Sequence, residues 1–182
     1  GKNVLITGGC GSVGSELLSQ VLKADPAVVR VFDNDEASLF DIQTHYKDES
    51  RLRFLLGDIR DRERLGLAIE GIDVVFHAAA VKHVELNEYN PFETVKTNVL
   101  GLQNVVDAAI DENVDRMVFT SSDKAVDPAN TMGTTKLLGE KLVTAGNMGL
   151  GGRDLQLASV RFGNVIDSSQ SVIPIFTQQI RE

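Results

Sequence analysis

The amino-acid sequence predicts an α/β domain in three layers, α/β/α, with helices on both faces of a doubly wound parallel sheet. Short β-branched runs alternate with amphipathic segments along all 182 residues, and repeated βα units of this kind form right-handed crossovers. The strand runs are apolar at nearly every position, as expected for parallel strands that are buried on both faces.

Six strands are predicted from these apolar runs. They cover residues 3–7, 28–32, 52–56, 74–77, 116–120 and 155–161. Five helices are predicted between them, from apolar residues at three- and four-residue spacing. They cover about residues 13–24, 36–47, 61–70, 91–113 and 131–145.

The helix predicted at residues 91–113 is long and has Pro91 near its start, a favoured place for proline. Its apolar residues form one continuous stripe, which we expect to face the core. The stripe consists of Phe92, Val95, Val99, Leu102, Val106 and Ile110. In this fold class such a helix is also used in dimer bundles, and we therefore expect a homo-oligomer.

The composition argues against several classes of partner. The hydrophobic content of 42% and the charged content of 24% are those of an ordinary globular domain. The net charge of −8 gives no support to binding of nucleic acid or of an anionic membrane surface. Because no run of about 18 apolar residues is present, we expect no membrane contact from this segment.

Cysteine and histidine usage points to a site without metal. A single cysteine, Cys10, leaves no disulfide framework and fits a reducing compartment such as the cytoplasm. The three histidines lack the spacing of metal ligands, so no metal is expected. His77 ends a predicted strand and is interpreted as a hydrogen-bonded core histidine.

A glycine-rich stretch joins the first strand to the first helix: Thr7-Gly8-Gly9-Cys10-Gly11-Ser12-Val13-Gly14. In this position the spacing Gly-x-x-Gly-x-x-Gly is a fingerprint of dinucleotide binding in the Rossmann fold. Gly8 permits a tight turn, Gly11 lets the backbone approach a pyrophosphate, and Gly14 lets the helix pack on the strand. The anion would meet the free N–H groups at the helix N-terminus, where Ser12 and Val13 lie. An ordinary glycine turn is the less favoured alternative.

An acidic residue closes the second strand and predicts the cofactor. Asp33 lies about 20 residues beyond the glycine loop, where a carboxylate binds the adenosine ribose hydroxyls and repels a 2′-phosphate. Asn34 and the two acidic residues after it add no cation, so NAD is favoured over NADP. Alternatively, Asp33 caps the following helix. Asp58 and Ile59 end the third strand and are candidates for the adenine pocket, although Asp is common in turns.

A hydroxyl, an acid and an amine follow the fifth strand, as Ser122, Asp123 and Lys124. Open α/β sheets bind their ligands at this carboxyl end. Met132 and Lys136 lie four residues apart, on one face of the next helix. A redox enzyme of the short-chain dehydrogenase type has Tyr-x-x-x-Lys here, and Met has no transferable proton.

Two interpretations of this pattern stay open. In the first, the site binds NAD and does no chemistry. In the second, another group transfers protons in place of Tyr, and the adjacent Asp123 and Lys124 are suited to act as acid and base. As isolated residues, Asp123 could cap a turn, Lys124 could be solvated and Met132 could be a core residue.

Over essentially its whole length the chain resembles the extended short-chain dehydrogenases. Besides the glycine loop, the likeness rests on Asp58-Ile59, His77-Ala78-Ala79-Ala80, Asn98-Val99 and the helix that carries Lys136. Within that group it looks like the nucleotide-sugar 4,6-dehydratases of bacterial and archaeal polysaccharide synthesis, some of which also carry Met for Tyr. The segments concerned are Ala79-Ala80-Val81-Lys82-His83-Val84, Ser122-Asp123-Lys124-Ala125-Val126, Arg161-Phe162-Gly163-Asn164-Val165 and Ser171-Val172-Ile173-Pro174.

The resemblance implies a UDP-sugar substrate and a reaction without net redox change. NAD⁺ takes a hydride from C4 of the sugar, water is eliminated across C5 and C6, and the hydride returns to C6. Lys124 would be the C5 base, Asp123 the acid for the departing 6-hydroxyl, and Ser122 a hydrogen-bond partner of the reacting hydroxyl. Lys136 would hold the nicotinamide ribose and supply a positive field.

The resemblance also implies binding residues. Near the cofactor it implies Ala78, Ala79, Ala80 and Asn98, the last of which is mildly unfavourable in the middle of a helix. For the substrate it implies Lys82, His83 and Asn164. Lys82 and His83 could equally be surface residues, and Asn164 could be a turn residue.

We expect residues 1–182 to be the NAD-binding domain with its catalytic segment, cut from a longer protein. The chain stops at Ile180-Arg181-Glu182, within a helical pattern, and the family's substrate-binding part lies largely beyond residue 182. The expected location is cytoplasmic, as an enzyme or as the cytoplasmic domain of a membrane-anchored protein. Two rivals remain: a UDP-sugar 4-epimerase of the same fold, and a non-catalytic NAD-binding module.

Overall fold

The computed structural model describes residues 1–149 and 154–165, which form a parallel sheet covered by helices on both faces. The strands are β1 (Asn3–Thr7), β2 (Val28–Asp33), β3 (Leu52–Leu56), β4 (Val74–His77), β5 (Arg116–Ser122) and β6 (Gln156–Phe162). Their order in the sheet is β3-β2-β1-β4-β5-β6, and every neighbouring pair is parallel. The order reverses between β1 and β4, where doubly wound sheets open a ligand crevice. The predicted fold class is confirmed.

The helices between the strands match most of the predicted positions. They are α1 (Ser12–Lys23), α2 (Glu36–His45), α3 (Arg62–Ile69), α4 (Val84–Tyr89), α5 (Pro91–Val95), α6 (Leu102–Asp111) and α7 (Thr131–Met148). A π-helical turn, Lys96–Gly101, joins α5 to α6, and a 3₁₀ turn, Asp123–Ala125, follows β5. Among the described helices, none combines the length and the apolar character that a bilayer span requires.

Two hydrophobic clusters hold the layers together, one on each face of the sheet. Successive side chains of a strand point to opposite faces, and in β1 Leu5 belongs to one cluster and Ile6 to the other. Leu18 of α1 packs in the cluster of Ile6, whereas Leu102 of α6 packs in the cluster of Leu5. Burial on both faces explains the continuous apolar runs of the central strands.

The helix predicted over residues 91–113 is present as one uninterrupted helical run through α5, the π-helical turn and α6, which ends at Asp111, but it is not regular throughout. The π-helical turn adds a residue within the helix and shifts the register of the residues before it. As a result Phe92, which was expected to face the core, is 66% exposed, and Thr94 is buried in its stead. The turn also brings Gly101 against Ile59, so closely that an added Cβ would lie 2.7 Å from Cδ1 of Ile59.

Smaller differences concern α4, β5 and the C-terminal segment. Helix α4 was not predicted, and β5 extends two residues further than expected because Ser121 and Ser122 pair with Arg161 and Phe162 of β6. The Ser171-Val172-Ile173-Pro174 segment and the helical pattern at Ile180-Arg181-Glu182 lie outside the described residues.

Candidate active site

Two adjoining cavities open at the carboxyl ends of the strands. The first, of about 710 Å³, is lined by residues from the glycine loop, β5 and α7, and we call it the β5 cavity. The second, of about 720 Å³, lies beside the ends of β2 and β3, and we call it the β2 cavity. Gly8, Gly11, Lys82 and His83 line both, so the two form one continuous cleft across the switch point between β1 and β4.

The glycine loop packs so tightly that an added Cβ at Gly8, Gly9 or Gly14 would overlap a neighbouring atom. Gly8 has a φ of +69°, and its N–H donates to the carbonyl of Phe32 at 2.9 Å. An added Cβ on Gly14 would lie only 2.1 Å from the Gly8 carbonyl oxygen. Gly11, at the N-cap of α1, is less crowded, since an added Cβ would lie 3.4 Å from the Gly8 carbonyl oxygen. The predicted loop residues Gly8, Gly11, Ser12, Val13 and Gly14 all line the β5 cavity.

Asp33 ties the end of β2 to this loop. Its Oδ2 accepts from the backbone N–H of Cys10 at 2.9 Å, and its Oδ1 accepts from the N–H of Asp35 at 3.1 Å. Asp35, not Asp33, caps α2, by accepting from the N–H of Ser38; the capping alternative for Asp33 is therefore wrong. Burial, reinforced by the Asp33 carboxylate, raises the pKa of the Cys10 thiol to about 12.

The β2 cavity holds the other residues predicted for the adenosine half. Asp33, Asn34, Asp58 and Ile59 all line it. A residue that the sequence interpretation missed, Arg60, lies there too, with Nη2 2.6 Å from Asp58 and Nη1 3.3 Å from Glu93. The hydrogen bonds from Arg60 hold the pKa of Asp58 below its usual range. Arg60 is thus already paired with two carboxylates.

Lys136 is a buried cation beneath the β5 cavity. It is 7% exposed, its Nζ donates to the carbonyl of Thr120 at 2.9 Å, and it lies 4.8 Å from the ring centroid of Phe119. Burial lowers the pKa of Lys136 to about 8. His77 is buried nearby, with Nδ1 2.6 Å from the Thr7 hydroxyl. Its burial, and then the charge of Lys136, lower the pKa of His77 to about 3, so it is a neutral core histidine as expected.

The predicted hydroxyl, acid and amine are in contact at the mouth of the β5 cavity. Ser122 Oγ donates to Asp123 Oδ1 at 2.9 Å, and Lys124 Nζ donates to the same oxygen at 3.3 Å. Lys124 Nζ also donates to Asn164 Oδ1 at 3.3 Å. The bond from Ser122, followed by those from Lys124, holds the pKa of Asp123 below its usual range. Ser122, Lys124 and Asn164 line the cavity, and Asp123 contacts the first two.

A half-buried ion pair between Arg161 and Glu140 fixes the end of β6, the strand that precedes Asn164. Arg161 of β6 donates twice to the Glu140 carboxylate, at 2.8 and 2.7 Å, and Ser121 donates to it at 2.6 Å. These bonds join β5, β6 and α7 behind the cluster. The sequence pattern did not single out Glu140, because an acid on a helix face is usually solvated.

Met132 occupies the position where related redox enzymes have Tyr. It is 5% exposed and lines the β5 cavity, one helical turn before Lys136. The N-terminus of α7 packs directly on the 3₁₀ turn. The contact is so close that an added Cβ on Gly133 would lie 2.2 Å from the Lys124 carbonyl oxygen. Asn130 caps α7 by accepting from Gly133, and Glu88 of α4 accepts from the N–H of Thr131 at 2.6 Å.

The segment after β4 supplies the wall between the two cavities. Ala78, Ala80, Lys82 and His83 line both cavities, and Ala79 lines the β2 cavity. Asn98 is buried: its Oδ1 accepts from Val81 N–H at 2.9 Å, and its Nδ2 donates to the Val81 carbonyl at 3.1 Å. It is not among the described residues that line either cavity, and its contact with the cofactor stays a prediction.

Within the described residues, no group of three or more His, Cys, Asp or Glu side chains is arranged to hold a metal ion. The cluster of Ser122, Asp123 and Lys124 offers an acid, an amine and a hydroxyl in mutual contact. They lie beside a glycine loop and a buried cation, in a cleft of the size that ligands occupy.

Comparison with known proteins gives one family match. Residues 4–182 match the family described as "Polysaccharide biosynthesis protein". An uncharacterized membrane protein of Methanocaldococcus jannaschii is 49% identical over 181 residues. A UDP-N-acetylglucosamine 4,6-dehydratase (inverting) of Campylobacter jejuni is 40% identical over 183 residues, and a UDP-glucose 4-epimerase of Rickettsia typhi is 42% identical over 185. All of this chain is covered in each case, but only 54% of each relative, so the chain spans about half their length.

Solved structures share the fold. The X-ray structure of Pen from Bacillus thuringiensis superposes with a TM-score of 0.97 at 50% identity, covering 100% of this chain and 58% of that one. The dTDP-glucose 4,6-dehydratase DesIV of Streptomyces venezuelae, a double mutant with NAD and DAU bound, gives a TM-score of 0.82 at 26% identity. It covers 98% of this chain and 62% of that one.

Proposed function

The chain belongs to the polysaccharide biosynthesis protein family, and from this premise we propose that it is the cofactor-binding and catalytic part of an NAD-dependent nucleotide-sugar 4,6-dehydratase. The observation that carries the proposal is the contact between Ser122, Asp123 and Lys124 beside Met132. An elimination needs a base and an acid in one place, and this cluster supplies both without a tyrosine. The Campylobacter jejuni relative supports a UDP-N-acetylglucosamine-like substrate.

The cleft fits NAD. The space beside Gly11, at the uncapped N-terminus of α1, suits a pyrophosphate. The Asp33 carboxylate lines the neighbouring β2 cavity, where it suits a ribose diol, and Arg60 is neutralised there by Asp58 and Glu93. The DesIV structure, which holds NAD, supports the same choice. Gly11 and Asp33 would hold NAD, which would supply a hydride acceptor for C4 of the sugar and a hydride donor for C6.

The proton transfers then fall to two side chains. Asp123 is ionised in the resting site, because Ser122 and Lys124 lower its pKa, so it accepts the C4 hydroxyl proton, directly or through Ser122. It later gives that proton to the departing 6-hydroxyl, which leaves as water. Lys124 removes the C5 proton through Nζ and later returns one to C5. The net change is the loss of one water, with no proton left on the protein.

Lys136 acts by charge and position rather than by proton transfer in this scheme. It is anchored to the Thr120 carbonyl directly under the β5 cavity. With a pKa of about 8 it is mostly protonated at neutral pH, and a buried cation favours negative charge that develops on the C4 oxygen.

The 4-epimerase is the rival that a specific finding favours, because relatives of that name are as similar as the dehydratase. An epimerase needs the 4-ketone but no elimination. It would use Asp123 for the C4 hydroxyl proton but leaves Lys124 without a role, and a purely NAD-binding module leaves both residues without one.

We also propose that the protein is a homo-oligomer in the cytoplasm. Large apolar side chains on the helices next to the cleft are exposed, namely Phe92, Leu100 and Leu138, and a second copy would cover them. The single free thiol, Cys10, fits a reducing compartment.

The experiment uses the full-length parent with UDP-N-acetylglucosamine and catalytic NAD⁺ in deuterated water. The expected product has lost one water and carries deuterium at C5, as detected by mass spectrometry. A 4-epimer with no water lost would assign the protein to the epimerases. The absence of any product from UDP-sugars, with NAD still bound, would favour the binding module.

A further inference from the structure

A buried asparagine of α4 lines the β5 cavity and has no part in the chemistry described above. Asn87 is 4% exposed, yet it is among the residues that line this cavity. Its side-chain amide carries two donor hydrogens on Nδ2 and an acceptor, Oδ1. Buried amides normally have partners for both ends, because an unpaired polar group loses its hydration without compensation.

Within the described residues, Asn87 has a partner at one end only. Nδ2 lies 3.4 Å from the carbonyl oxygen of Val81, a long hydrogen bond. That oxygen already receives the shorter bond from Asn98, at 3.1 Å. No described group donates to Oδ1 of Asn87. The contrast with Asn98 is direct, since that equally buried amide binds the Val81 N–H through Oδ1 and two acceptors through Nδ2.

The position of Asn87 is fixed by its neighbours. Glu88, the next residue, accepts from the N–H of Thr131, which precedes Met132. This bond joins α4 to the start of α7, so Asn87 and Met132 are brought to the same cavity. In a side-chain amide, Nδ2 and Oδ1 point in different directions from Cγ. Because Nδ2 of Asn87 is directed at the Val81 carbonyl, Oδ1 is directed away from it.

We propose that Oδ1 of Asn87 accepts a hydrogen bond from an O–H or N–H donor on the sugar of the nucleotide-sugar substrate. The inference rests on the proposed function, because that function places the sugar in the β5 cavity. It makes Asn87 a substrate-contacting residue that selects for the sugar and not for the nucleotide. An acceptor oxygen discriminates against a sugar in which the donor is missing, since Oδ1 then stays buried and unpaired.

The test compares wild-type full-length protein, loaded with NAD, with its Asn87→Leu variant, which has a similar volume and no polar atoms. Affinities are measured by calorimetry for UDP-N-acetylglucosamine and for UDP alone. We expect the variant to bind the UDP-sugar about 2- to 12-fold more weakly, the value of one neutral hydrogen bond. The affinities for UDP and NAD should not change. The Asn87→Ala variant should show the same selective loss.

Other outcomes overturn the inference. If Asn87→Leu lowers the affinity for UDP as much as for the UDP-sugar, or unfolds at a lower denaturant concentration, Asn87 is a structural residue held by Val81. If both affinities equal those of the wild type, Oδ1 has no ligand partner. If the wild type itself binds no UDP-sugar, the proposed function fails instead, which the wild-type titration alone decides.

The same measurement with altered sugars identifies the donor. UDP-2-deoxyglucose lacks the acetamido N–H and has no hydroxyl in its place, and the other deoxy analogues lack one hydroxyl each. The analogue that lacks the relevant donor should bind wild type and Asn87→Leu equally well, whereas every other sugar keeps the difference between them. If no analogue removes that difference, the sugar does not donate to Asn87.

Discussion

The ammonium group of Lys136 donates to the carbonyl of Thr120 at 2.9 Å and lies over the ring of Phe119. One backbone acceptor and one aromatic face replace the water that an exposed lysine would have. This incomplete replacement is why burial lowers the pKa of Lys136 from 10.5 to about 8.

The free energy of unfolding should therefore rise with pH between about 8 and 10.5. In that window the unfolded chain keeps the Lys136 proton and the folded chain has lost it, so raising the pH favours the folded state. The gain is about 3 kcal/mol at most. Urea unfolding is measured for the wild type and for Lys136→Met at several pH values between about 8 and 10.5. The gain is the change with pH in the difference between their free energies of unfolding. A difference that does not change with pH would show that Lys136 has an ordinary pKa.

Replacing Asp123 with Asn should abolish elimination and spare NAD binding. The amide has the same size but cannot carry a proton between the sugar hydroxyls, so turnover should fall about 100- to 10,000-fold. Turnover of the full-length protein and its NAD affinity are measured together. Asp115→Asn is the matched control, because within the described part of the chain its carboxylate contacts Lys2 alone, at an exposed site. Normal activity in Asp123→Asn would remove this residue from the mechanism.

Gly14→Ala should weaken NAD binding and destabilise the fold by about 1–3 kcal/mol. The new methyl group would lie 2.1 Å from the Gly8 carbonyl oxygen, so the loop must move away from α1. Gly66→Ala is the control, since this glycine also lies in a helix and nothing is within 4 Å of an added Cβ. That change should stabilise the protein by up to about 1 kcal/mol. The measurements are denaturation curves and NAD titrations of both variants. If Gly14→Ala has the same stability and NAD affinity as Gly66→Ala, the argument that Gly14 is tightly packed is wrong.

The thiol of Cys10 should react slowly with iodoacetamide in the native protein. With a pKa of about 12, very little of the thiol is present as the reactive thiolate at neutral pH. A more basic thiolate is also a better nucleophile, which offsets part of the loss in the alkylation rate. The net expectation is roughly a 10- to 100-fold slower alkylation than in urea. Asp33→Asn should accelerate the native reaction, because the Asp33 carboxylate also raises the pKa. Equal rates in native and unfolded protein would contradict the burial of this thiol.

Most of the sheet could be predicted because parallel strands buried on both faces leave a strong apolar signal, and all six were found. Helix α4 left no such signal. Its apolar side chains Leu86 and Tyr89 are exposed, whereas Asn87 is buried, so the usual hydrophobic period is inverted. The π-helical turn was missed because Phe92, although exposed, has the spacing of the apolar stripe that follows it, so the sequence shows no break at the inserted residue.

In the candidate site, residues close in sequence were easier to predict than partners brought together by the fold. The contact between Asp123 and Lys124 follows from their adjacency, and the glycine loop from its spacing. The pairing of Arg60 with Glu93 and that of Arg161 with Glu140 join distant segments. Each depends on tertiary structure, which one sequence without homologues does not reveal.

The two helices that begin at the β5 cavity differ in their electrostatics. The N-terminus of α1 has Gly11 as its cap and no acid in its first turn, while that of α7 already receives the carboxylate of Glu88 and the amide of Asn130. The carboxylate of Glu88 thus interacts with the positive N-terminal end of α7, whereas the N-terminal end of α1 can still attract an anionic ligand. The cleft is polarised as a result, because the helix end that still attracts an anion lies at α1 and not at α7.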